Sequence, residues 1–193
     1  LMDIAISASA LLILSPLFLV LSILVKMTSE GPIFFKQVRV GVNGRQFTLY
    51  KFRTMVKDAE VKLKDLLSNN EMNGPVFKLK DDPRLTSIGK VLRKFSLDEF
   101  PQLWNVLRGE MSIVGPRPPI PSEVSKYDNW QRRRLTMRPG LTCLWQVSGR
   151  NKIKDFSEWA RLDLEYIDKW SLWLDVNIIL RTFPTVMLGI GAK

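Results

Sequence analysis

Two adjacent carboxylates, Asp98 and Glu99, are the residues of this chain best suited by type and position to do chemistry. They lie in Ser96-Leu97-Asp98-Glu99, directly before an apolar run that continues to Leu107. Ser-x-x-Glu before such a run is typical of a capping box, in which the serine caps a helix and the glutamate reaches back to its backbone. In this interpretation Asp98 only complements the positive end of the helix dipole, and the local sequence favours it.

The same position supports a catalytic interpretation of Asp98. A helix N-terminus presents free N–H groups and favours anions such as phosphates, so it would also keep this carboxylate ionised. An ionised carboxylate can attack phosphorus, as in enzymes that form an aspartyl-phosphate. Because two anions do not approach each other unaided, this chemistry requires a divalent cation. Mg²⁺ is suitable, since it binds through one or two carboxylates together with substrate phosphates.

Basic residues beside rigid turns form a second set of candidates. Arginine forks match phosphate oxygens in a bidentate way, and a neighbouring proline or glycine suits a preorganised anion site. The set comprises Lys51 and Arg53 in Tyr-Lys-Phe-Arg-Thr, Arg93, Arg117 in Gly-Pro-Arg-Pro, Arg138 in Arg-Pro-Gly and Arg150 in Ser-Gly-Arg-Asn. Each of them taken alone is more simply an ordinary surface charge. Their recurrence in turns makes the phosphate interpretation equally strong for the set.

Missing residue types narrow the chemistry further. The chain has no histidine, which excludes a Ser-His-Asp triad and a His-ligated metal. Its single cysteine, Cys143, excludes an internal disulfide and a Cys-rich zinc site, and its apolar neighbours predict a buried, inert thiol. Neither a Walker A pattern nor G-x-G-x-x-G occurs. Catalysis therefore has to rest on carboxylates, Lys, Arg, Tyr or a hard metal ion.

The overall charge indicates an anionic partner. The chain has 193 residues, 46% of them hydrophobic, and a formal net charge of +10. This length and composition predict one globular domain. The positive surplus suits phosphates, nucleic acid or an acidic membrane surface, and composition does not choose among them.

The elements that must position these residues begin with an apolar segment from Ile4 to Val25. At about 1.5 Å per helical residue, this segment reaches the roughly 30 Å of a bilayer core. Ser15-Pro16 interrupts it, and we expect a kink because proline removes a helical hydrogen bond. A kinked helix would cross the membrane, whereas a sharply broken helix-hairpin would enter and leave on one face. The local sequence favours the simple span, since spanning helices tolerate proline.

The rest of the chain predicts a β-hairpin followed mainly by helices. Between Ile33 and Tyr50, β-forming runs flank Gly41-Val42-Asn43-Gly44, and Asn-Gly is a strong hairpin signal. Helices are predicted over Met55 to Leu67, Ile88 to Lys94, Ser96 to Leu107, Glu123 to Arg134 and Phe156 to Lys169. The tail from Trp170 to Ile190 is rich in Trp and aliphatics but also contains Asp175, Arg181 and Pro184. This pattern favours a helix lying in the membrane interface over a second span.

Several motifs together identify a family. The run from Phe95 to Pro119 reads Phe-Ser-Leu-Asp-Glu-Phe-Pro-Gln-Leu-Trp-Asn-Val-Leu-Arg-Gly-Glu-Met-Ser-Ile-Val-Gly-Pro-Arg-Pro-Pro. Further motifs are Tyr50-Lys51-Phe52-Arg53-Thr54-Met55, Arg138-Pro139-Gly140-Leu141-Thr142 and Trp145-Gln146-Val147-Ser148-Gly149-Arg150-Asn151. With the apolar segment centred on Ser15-Pro16, they resemble the bacterial sugar transferase family. These are the monotopic polyprenyl-phosphate phosphoglycosyl transferases of exopolysaccharide, O-antigen and glycoprotein pathways.

The resemblance implies roles for particular residues. Asp98 is similar to the family's nucleophile, which forms a covalent phosphosugar intermediate, releases UMP and contacts Mg²⁺. Glu99 is similar to its partner, a base that helps to deprotonate the incoming polyprenyl phosphate. Ser15-Pro16 resembles the break of a re-entrant helix, which replaces the simple span as our expectation. The family's basic positions near the phosphates or uridine correspond to Lys51, Arg53, Arg93, Arg117 and Arg150.

The resemblance also implies an organisation and a reaction. We expect an α+β fold in which residues 1–27 form the re-entrant membrane helix-hairpin. Residues 28–193 would form the catalytic domain, with a small β-hairpin, amphipathic helices and interfacial C-terminal helices, on the cytoplasmic face of the bacterial inner membrane. The expected reaction transfers a sugar-1-phosphate from a UDP-sugar to undecaprenyl phosphate. The larger exopolysaccharide relatives suggest UDP-glucose or UDP-galactose, and the first residue, Leu1, suggests a longer parent chain.

Some alternatives stay open at this point. The family often has Gly-Trp-Ala-Gln after Arg-Pro-Gly, whereas this chain has Cys143-Leu144-Trp145-Gln146, so the nucleotide contacts there are undetermined. A basic, membrane-associated module that binds nucleic acid or acidic lipid is the non-catalytic alternative. We expect no nucleic-acid partner, because the arginines lie in separate turns rather than on one stripe. A homo-oligomer is one possible assembly.

Overall fold

The computed structural model describes residues 2–79, 81–149, 153 and 155–187. The structural statements below concern these residues, and Arg150 lies outside them. The helices are α1 (Met2–Ile13), α2 (Ser15–Thr28), α3 (Ala59–Leu66), α4 (Ser87–Lys94), α5 (Gln102–Leu107), α6 (Pro121–Val124), α7 (Asn129–Arg132), α8 (Leu144–Val147), α9 (Phe156–Asp168) and α10 (Leu172–Met187). The strands are β1 (Phe34–Val40), β2 (Gln46–Phe52), β3 (Ser112–Val114) and β4 (Gly140–Thr142). The predicted α+β class is confirmed.

The apolar N-terminal segment is broken at its centre. Helices α1 and α2 are bent by 63° around Leu14. Pro16 lies in the first turn of α2, where its missing N–H costs nothing, and the Ser15 hydroxyl donates to the carbonyl of Leu12 at 2.8 Å. In the described part of the chain, no helix alone combines the length and hydropathy needed to cross a bilayer, although this bent pair does so together.

The predicted hairpin is confirmed and slightly longer than expected. Strands β1 and β2 pair antiparallel from Phe34 opposite Phe52 to Val40 opposite Gln46. Asn43 (φ 55°) and Gly44 (φ 78°) accept the left-handed backbone that the turn requires. Side chains alternate between the two faces of a strand, so Arg39 lies on the same face as Lys51.

A second, parallel pair forms between β3 and β4, which the sequence did not predict. Ser112 pairs with Gly140, and Val114 pairs with Thr142. The two backbones approach so closely that a Cβ atom on Gly140 would lie 2.0 Å from the Gly115 nitrogen. This contact brings the loop that contains Arg117 next to β4.

The interior lies where the hairpin, α5, α9 and α10 meet. Its centre includes Leu49, Val106, Met111, Tyr166 and Ile178, each no more than 1% exposed. A separate cluster joins α2 to the hairpin and α4 through Leu21, Val25, Phe52 and Leu92. The broken N-terminal helix pair is therefore attached to the element that carries the basic motif.

Two helix predictions were wrong. The segment from Ser96 to Leu107 is a short 3-10 turn (Leu97–Glu99) followed by α5, because Ser96 has a left-handed backbone (φ 53°) and Pro101 interrupts the helix. The segment from Glu123 to Arg134 is divided into α6, α7 and a 3-10 turn. Asp128 has an extended backbone, and its N–H donates to the side chain of Gln131 at 2.9 Å, which starts a new helix.

Helix α10 confirms the predicted C-terminal helix and continues through Pro184. Ile178 faces the interior, whereas Leu172, Trp173, Leu180 and Phe183 are 62–75% exposed. This apolar outer face is what an interfacial helix requires.

Candidate active site

Asp98 lies in the 3-10 turn between α4 and α5. Ser96 reverses the chain with its left-handed backbone, and its N–H donates to the carbonyl of Arg93 at 3.1 Å. The turn then places the Asp98 side chain inward, where it is 6% exposed. The charges that act on it come from Lys51, Glu99 and Arg93.

The capping-box interpretation of Ser96 and Glu99 was wrong. The Ser96 side chain makes no capping hydrogen bond, and its left-handed backbone differs from the extended backbone of an N-cap residue. The Glu99 carboxylate instead accepts a hydrogen bond from Lys51 Nζ at 2.6 Å. The Glu99 carboxylate is therefore held by a tertiary contact with the hairpin rather than by local helix capping.

The protonation of Asp98 is controlled by its surroundings. Burial is the largest influence and raises the pKa of Asp98, and the neighbouring negative charge of Glu99 raises it further. Lys51 and Arg93 act in the opposite direction and lower it. A nucleophilic role requires the ionised form, so any further cation bound beside Asp98 would favour that role.

Arg93 contacts Thr54, which follows β2 in the Tyr50–Met55 motif. Its Nε donates to the Thr54 hydroxyl at 3.1 Å, and Thr54 also accepts the N–H of Thr86 at 3.0 Å through its carbonyl. Gly89 allows α4 to pack this closely, since a Cβ atom there would lie 2.0 Å from the Thr54 carbonyl oxygen. Arg93 and Lys51 thus approach Asp98 from two different elements.

Arg53 is separated from this group although only Phe52 stands between it and Lys51 in the sequence. Its guanidinium is buried and donates to the Ser29 carbonyl at 2.6 Å, to the Ser29 hydroxyl at 2.9 Å and to the carbonyl of Pro32. These acceptors lie at and just beyond the end of α2. The structure therefore gives Arg53 a structural contact and does not bring it together with the other predicted phosphate ligands.

A narrow cavity lies on the Glu99 side of the turn. Its volume is about 20 Å³, which is close to the space that one ordered water needs. Polar and charged side chains line it together with a smaller apolar wall: Arg39, Lys51, Glu99, Gln102, Arg117 and Gln146, with Leu49, Pro118, Gly140, Leu141 and Cys143. Two predicted ligands, Lys51 and Arg117, therefore meet in one place.

Arg117 packs against a buried cluster of aromatic and charged side chains. Its guanidinium carbon lies 5.3 Å from the centre of the Trp159 ring, and its carbonyl accepts from Arg134 at 3.3 Å. Arg134 is itself fixed by a buried ion pair with Asp163 at 2.7 Å. Arg138, in contrast, is exposed and does not line the cavity.

Three polar or charged cavity residues were missed by sequence reasoning: Arg39, Gln102 and Gln146. The signal for Arg39 was present, because strand alternation places it on the Lys51 face of the predicted hairpin. Gln102 and Gln146 carry no such signal, since their positions depend on how α5 and α8 pack. Cys143 is buried as predicted, and burial raises the pKa of its thiol well above the ordinary value.

The residues present suit a Mg²⁺ ion only in partnership with a substrate. Within the described residues there is no group of three or more His, Cys, Asp or Glu side chains that could hold a metal ion alone. A single buried carboxylate at Asp98 still fits Mg²⁺, which commonly takes one or two carboxylates and completes its shell with substrate phosphates and water.

Comparison with known proteins identifies the family. Residues 1–189 match the family profile described as bacterial sugar transferase. The chain belongs to the bacterial sugar transferase family. The match covers both the broken N-terminal helix pair and the described site, so both are features of a sugar transferase.

Three relatives illustrate this membership. The galactosyl transferase CpsE of Streptococcus agalactiae serotype III is 58% identical over 84% of this sugar transferase and 36% of CpsE. The exopolysaccharide production protein ExoY of Sinorhizobium fredii is 45% identical over 98% of this chain and 85% of ExoY. The undecaprenyl-phosphate galactose phosphotransferase of Salmonella typhimurium is 43% identical over 98% of this chain and 40% of its own length. The chain thus spans less than half of the length of CpsE and of the Salmonella typhimurium relative.

Proposed function

We propose that this chain transfers a sugar-1-phosphate from a UDP-sugar to undecaprenyl phosphate, giving undecaprenyl-diphosphate-sugar and UMP. The observation that carries the proposal is the buried Asp98 carboxyl, on which the positive charges of Lys51 and Arg93 act, in a turn where Ser96 makes no capping hydrogen bond. The names of relatives from Salmonella typhimurium and Aeromonas hydrophila, which specify undecaprenyl-phosphate sugar phosphotransferases, support this reaction class.

The first step would be attack by the Asp98 carboxylate on the sugar-bearing phosphorus. A new bond forms between an Asp98 oxygen and this phosphorus, and the bond to the bridging oxygen breaks, so UMP leaves with that oxygen. Lys51 and Arg93 would neutralise the phosphate charge that approaches the carboxylate. A bound Mg²⁺, held by Asp98 and the diphosphate, would supply further charge neutralisation.

The second step would return the free enzyme. An oxygen of undecaprenyl phosphate attacks the same phosphorus, and the Asp98 carboxylate departs as the diphosphate-linked lipid forms. Glu99 would accept the proton of the incoming phosphate. Its 2.6 Å contact with Lys51 orients the carboxylate for this role, and a substrate phosphate can draw Lys51 away.

Isotopically labelled UDP-sugars test the intermediate directly. A panel of UDP-sugars, including UDP-glucose and UDP-galactose, is incubated with the protein and Mg²⁺, with and without undecaprenyl phosphate. We expect UMP release and, without acceptor, a sugar-phosphate adduct on Asp98 in the mass spectrum. Asp98→Asn should abolish both, and Glu99→Gln should keep the adduct but slow its transfer to the lipid. Turnover by Asp98→Asn would reject the nucleophile.

We also propose that α1 and α2 form a re-entrant hairpin, with the catalytic part on the cytoplasmic face of the inner membrane. The 63° bend and the exposed side chains of Leu12, Ile13, Leu19 and Met27, which are 64–78% exposed, support a lipid-embedded, broken segment. Asp3 accepts hydrogen bonds from Ser112 and Ile113 at 3.1 Å, so the start of α1 contacts the catalytic part, as does the end of α2.

Cysteine labelling in sealed vesicles tests this topology. Single cysteines are placed near Met2 and at Met27 in a Cys143→Ser background and exposed to an impermeant thiol reagent from one side. Labelling of both positions from the same side is the expected result. Labelling from opposite sides would restore the simple spanning helix.

A further inference from the structure

Arg39 is a buried cation whose hydrogen-bonding capacity is only partly used. It is 7% exposed, and its two terminal nitrogens donate to the Pro118 carbonyl at 2.7 Å and to the Gln37 side chain at 2.6 Å. Its Nε is buried with no hydrogen-bond partner in the part of the chain that the structure describes. A buried, unsatisfied donor on a charged group is costly, and such groups usually mark a ligand or water position.

The cavity that Arg39 lines carries an excess of positive charge. Its lining includes the cations Arg39, Lys51 and Arg117 and one carboxylate, Glu99. Burial and the nearby charge of Arg117 lower the pKa of Arg39 to about 10. Both observations indicate that an anion placed between Arg39 and Arg117 would be stabilised. A phosphate is larger than the one water that this cavity holds, so its binding requires the lining side chains to move apart.

Arg39 lies away from the end of the hairpin that packs against α2. The Phe52 end of the hairpin packs against α2, with 5.4 Å between the ring centres of Phe18 and Phe52. Arg39 lies opposite Phe47, five residues along β2 from Phe52, which corresponds to roughly 17 Å of extended chain. Arg93, in contrast, is on α4, which packs against α2 through Leu92.

Lys51 and Arg39 therefore lie at different positions along the hairpin. Lys51, next to Phe52, bonds to Glu99, and Arg39 lies farther along, where it lines the cavity together with Arg117. Asp98 feels the charges of Arg93 and Lys51 but does not itself line the cavity. A diphosphate whose sugar-bearing phosphorus lies at Asp98 would place its other phosphate on the Glu99 side.

We propose that Arg39, beside Arg117, binds the nucleoside-bearing phosphate, the group that leaves as UMP. This assignment rests on the proposed function. In the first step, the phosphate that leaves takes the electron pair of the broken P–O bond. Arg39 and Arg117 stabilise the resulting charge.

Binding measurements test Arg39 independently of turnover. UMP, uridine and inorganic phosphate are titrated calorimetrically into the detergent-solubilised protein. Arg39→Gln should weaken UMP binding by about 10–100-fold, the value of a lost charge-assisted hydrogen bond, and leave uridine binding unchanged. Arg39→Lys should retain part of the UMP affinity. Arg45→Gln, which removes the same charge from an exposed position on the same hairpin, is the matched control.

Kinetics separate phosphate binding from a purely structural role. In Arg39→Gln the KM for the UDP-sugar should rise while the KM for undecaprenyl phosphate stays unchanged. Equal loss of UMP and uridine binding, or unchanged UMP affinity in Arg39→Gln, would overturn the assignment and leave the proposed function standing. Wild-type protein that binds UMP through Arg39 but releases none from any UDP-sugar would support the phosphate site and reject the transferase reaction.

Discussion

Lys51 and Arg53 provide the sharpest test of the structure, because the same motif contains both and the sequence assigned them the same role. The structure separates them. Lys51 bonds to Glu99 beside Asp98, whereas Arg53 bonds to the end of α2. We therefore expect Lys51→Met to impair catalysis and Arg53→Met to impair stability.

The expected size of each effect follows from the contacts. Removing the Arg53 guanidinium leaves the Ser29 and Pro32 carbonyls without this donor, which should lower the free energy of unfolding by about 3 kcal/mol. For a chain of this length, that corresponds to a fall in melting temperature of about 10 °C. The Lys51–Glu99 pair is partly exposed, with side chains 21% and 24% accessible, so its loss should cost less than about 1 kcal/mol.

The catalytic effects should have the reverse order. Loss of Lys51 removes a cation that lowers the pKa of Asp98 and that, in the proposed mechanism, neutralises the substrate phosphate. We expect UMP release to fall by about 100- to 1,000-fold in Lys51→Met, as for other groups that stabilise transition-state charge. Arg53→Met should retain most of its activity per folded molecule well below its melting temperature.

The assay combines thermal unfolding in one detergent, at a fixed scan rate, with UMP release from the same preparations. Lys57→Met makes the identical substitution as Lys51→Met at an exposed position nearby and serves as the control for both variants. An Arg53→Met protein that melts like wild type but is inactive would refute the reasoning. So would a Lys51→Met protein that loses activity only because it is unfolded.

Four further predictions concern Asp98 and the elements around it. Folding raises the pKa of Asp98. The stabilisation linked to this group is therefore fully present below the pKa of the unfolded state and is lost as the pH rises through the pKa of the folded state. At neutral pH the cost of burying this carboxylate lowers the free energy of unfolding. Asp98→Asn should therefore increase the free energy of unfolding at neutral pH by about 1 kcal/mol, which corresponds to a rise in melting temperature of about 2–4 °C in thermal unfolding scans. An unchanged or lower melting temperature would contradict the assigned burial cost. In a pH profile of wild-type UMP release, activity should increase with pH through the raised pKa of Asp98. Gly89→Ala, which places a Cβ atom 2.0 Å from the Thr54 carbonyl oxygen, should displace α4 and lower both stability and activity. Thr54→Val removes the hydroxyl that contacts Arg93 and should slow UMP release by about 10-fold with little change in melting temperature.

Several features of this protein are determined by short stretches of sequence. The hairpin formed where Asn43-Gly44 predicted it, since positive backbone angles are a local property of these two residues. The break at Ser15-Pro16 is equally local, because proline lacks an N–H wherever it stands. The absence of histidine and the Asp98-Glu99 pair limited the chemistry before any fold was known.

Other features depend on contacts between residues that are far apart in the sequence. Ser96 satisfies every local condition for a helix cap, yet in the folded protein it adopts a left-handed backbone between α4 and α5. Glu99 forms an ion pair with Lys51 of the hairpin instead of completing a capping box. The pairing of β3 with β4 joins segments that neither composition nor periodicity connects. Likewise, neighbouring motif positions gave Lys51 and Arg53 one predicted role, whereas the packing of α2 against the hairpin gives them different contacts. Local propensities contribute small free energies per residue, and burial of a shared core outweighs them when the two conflict.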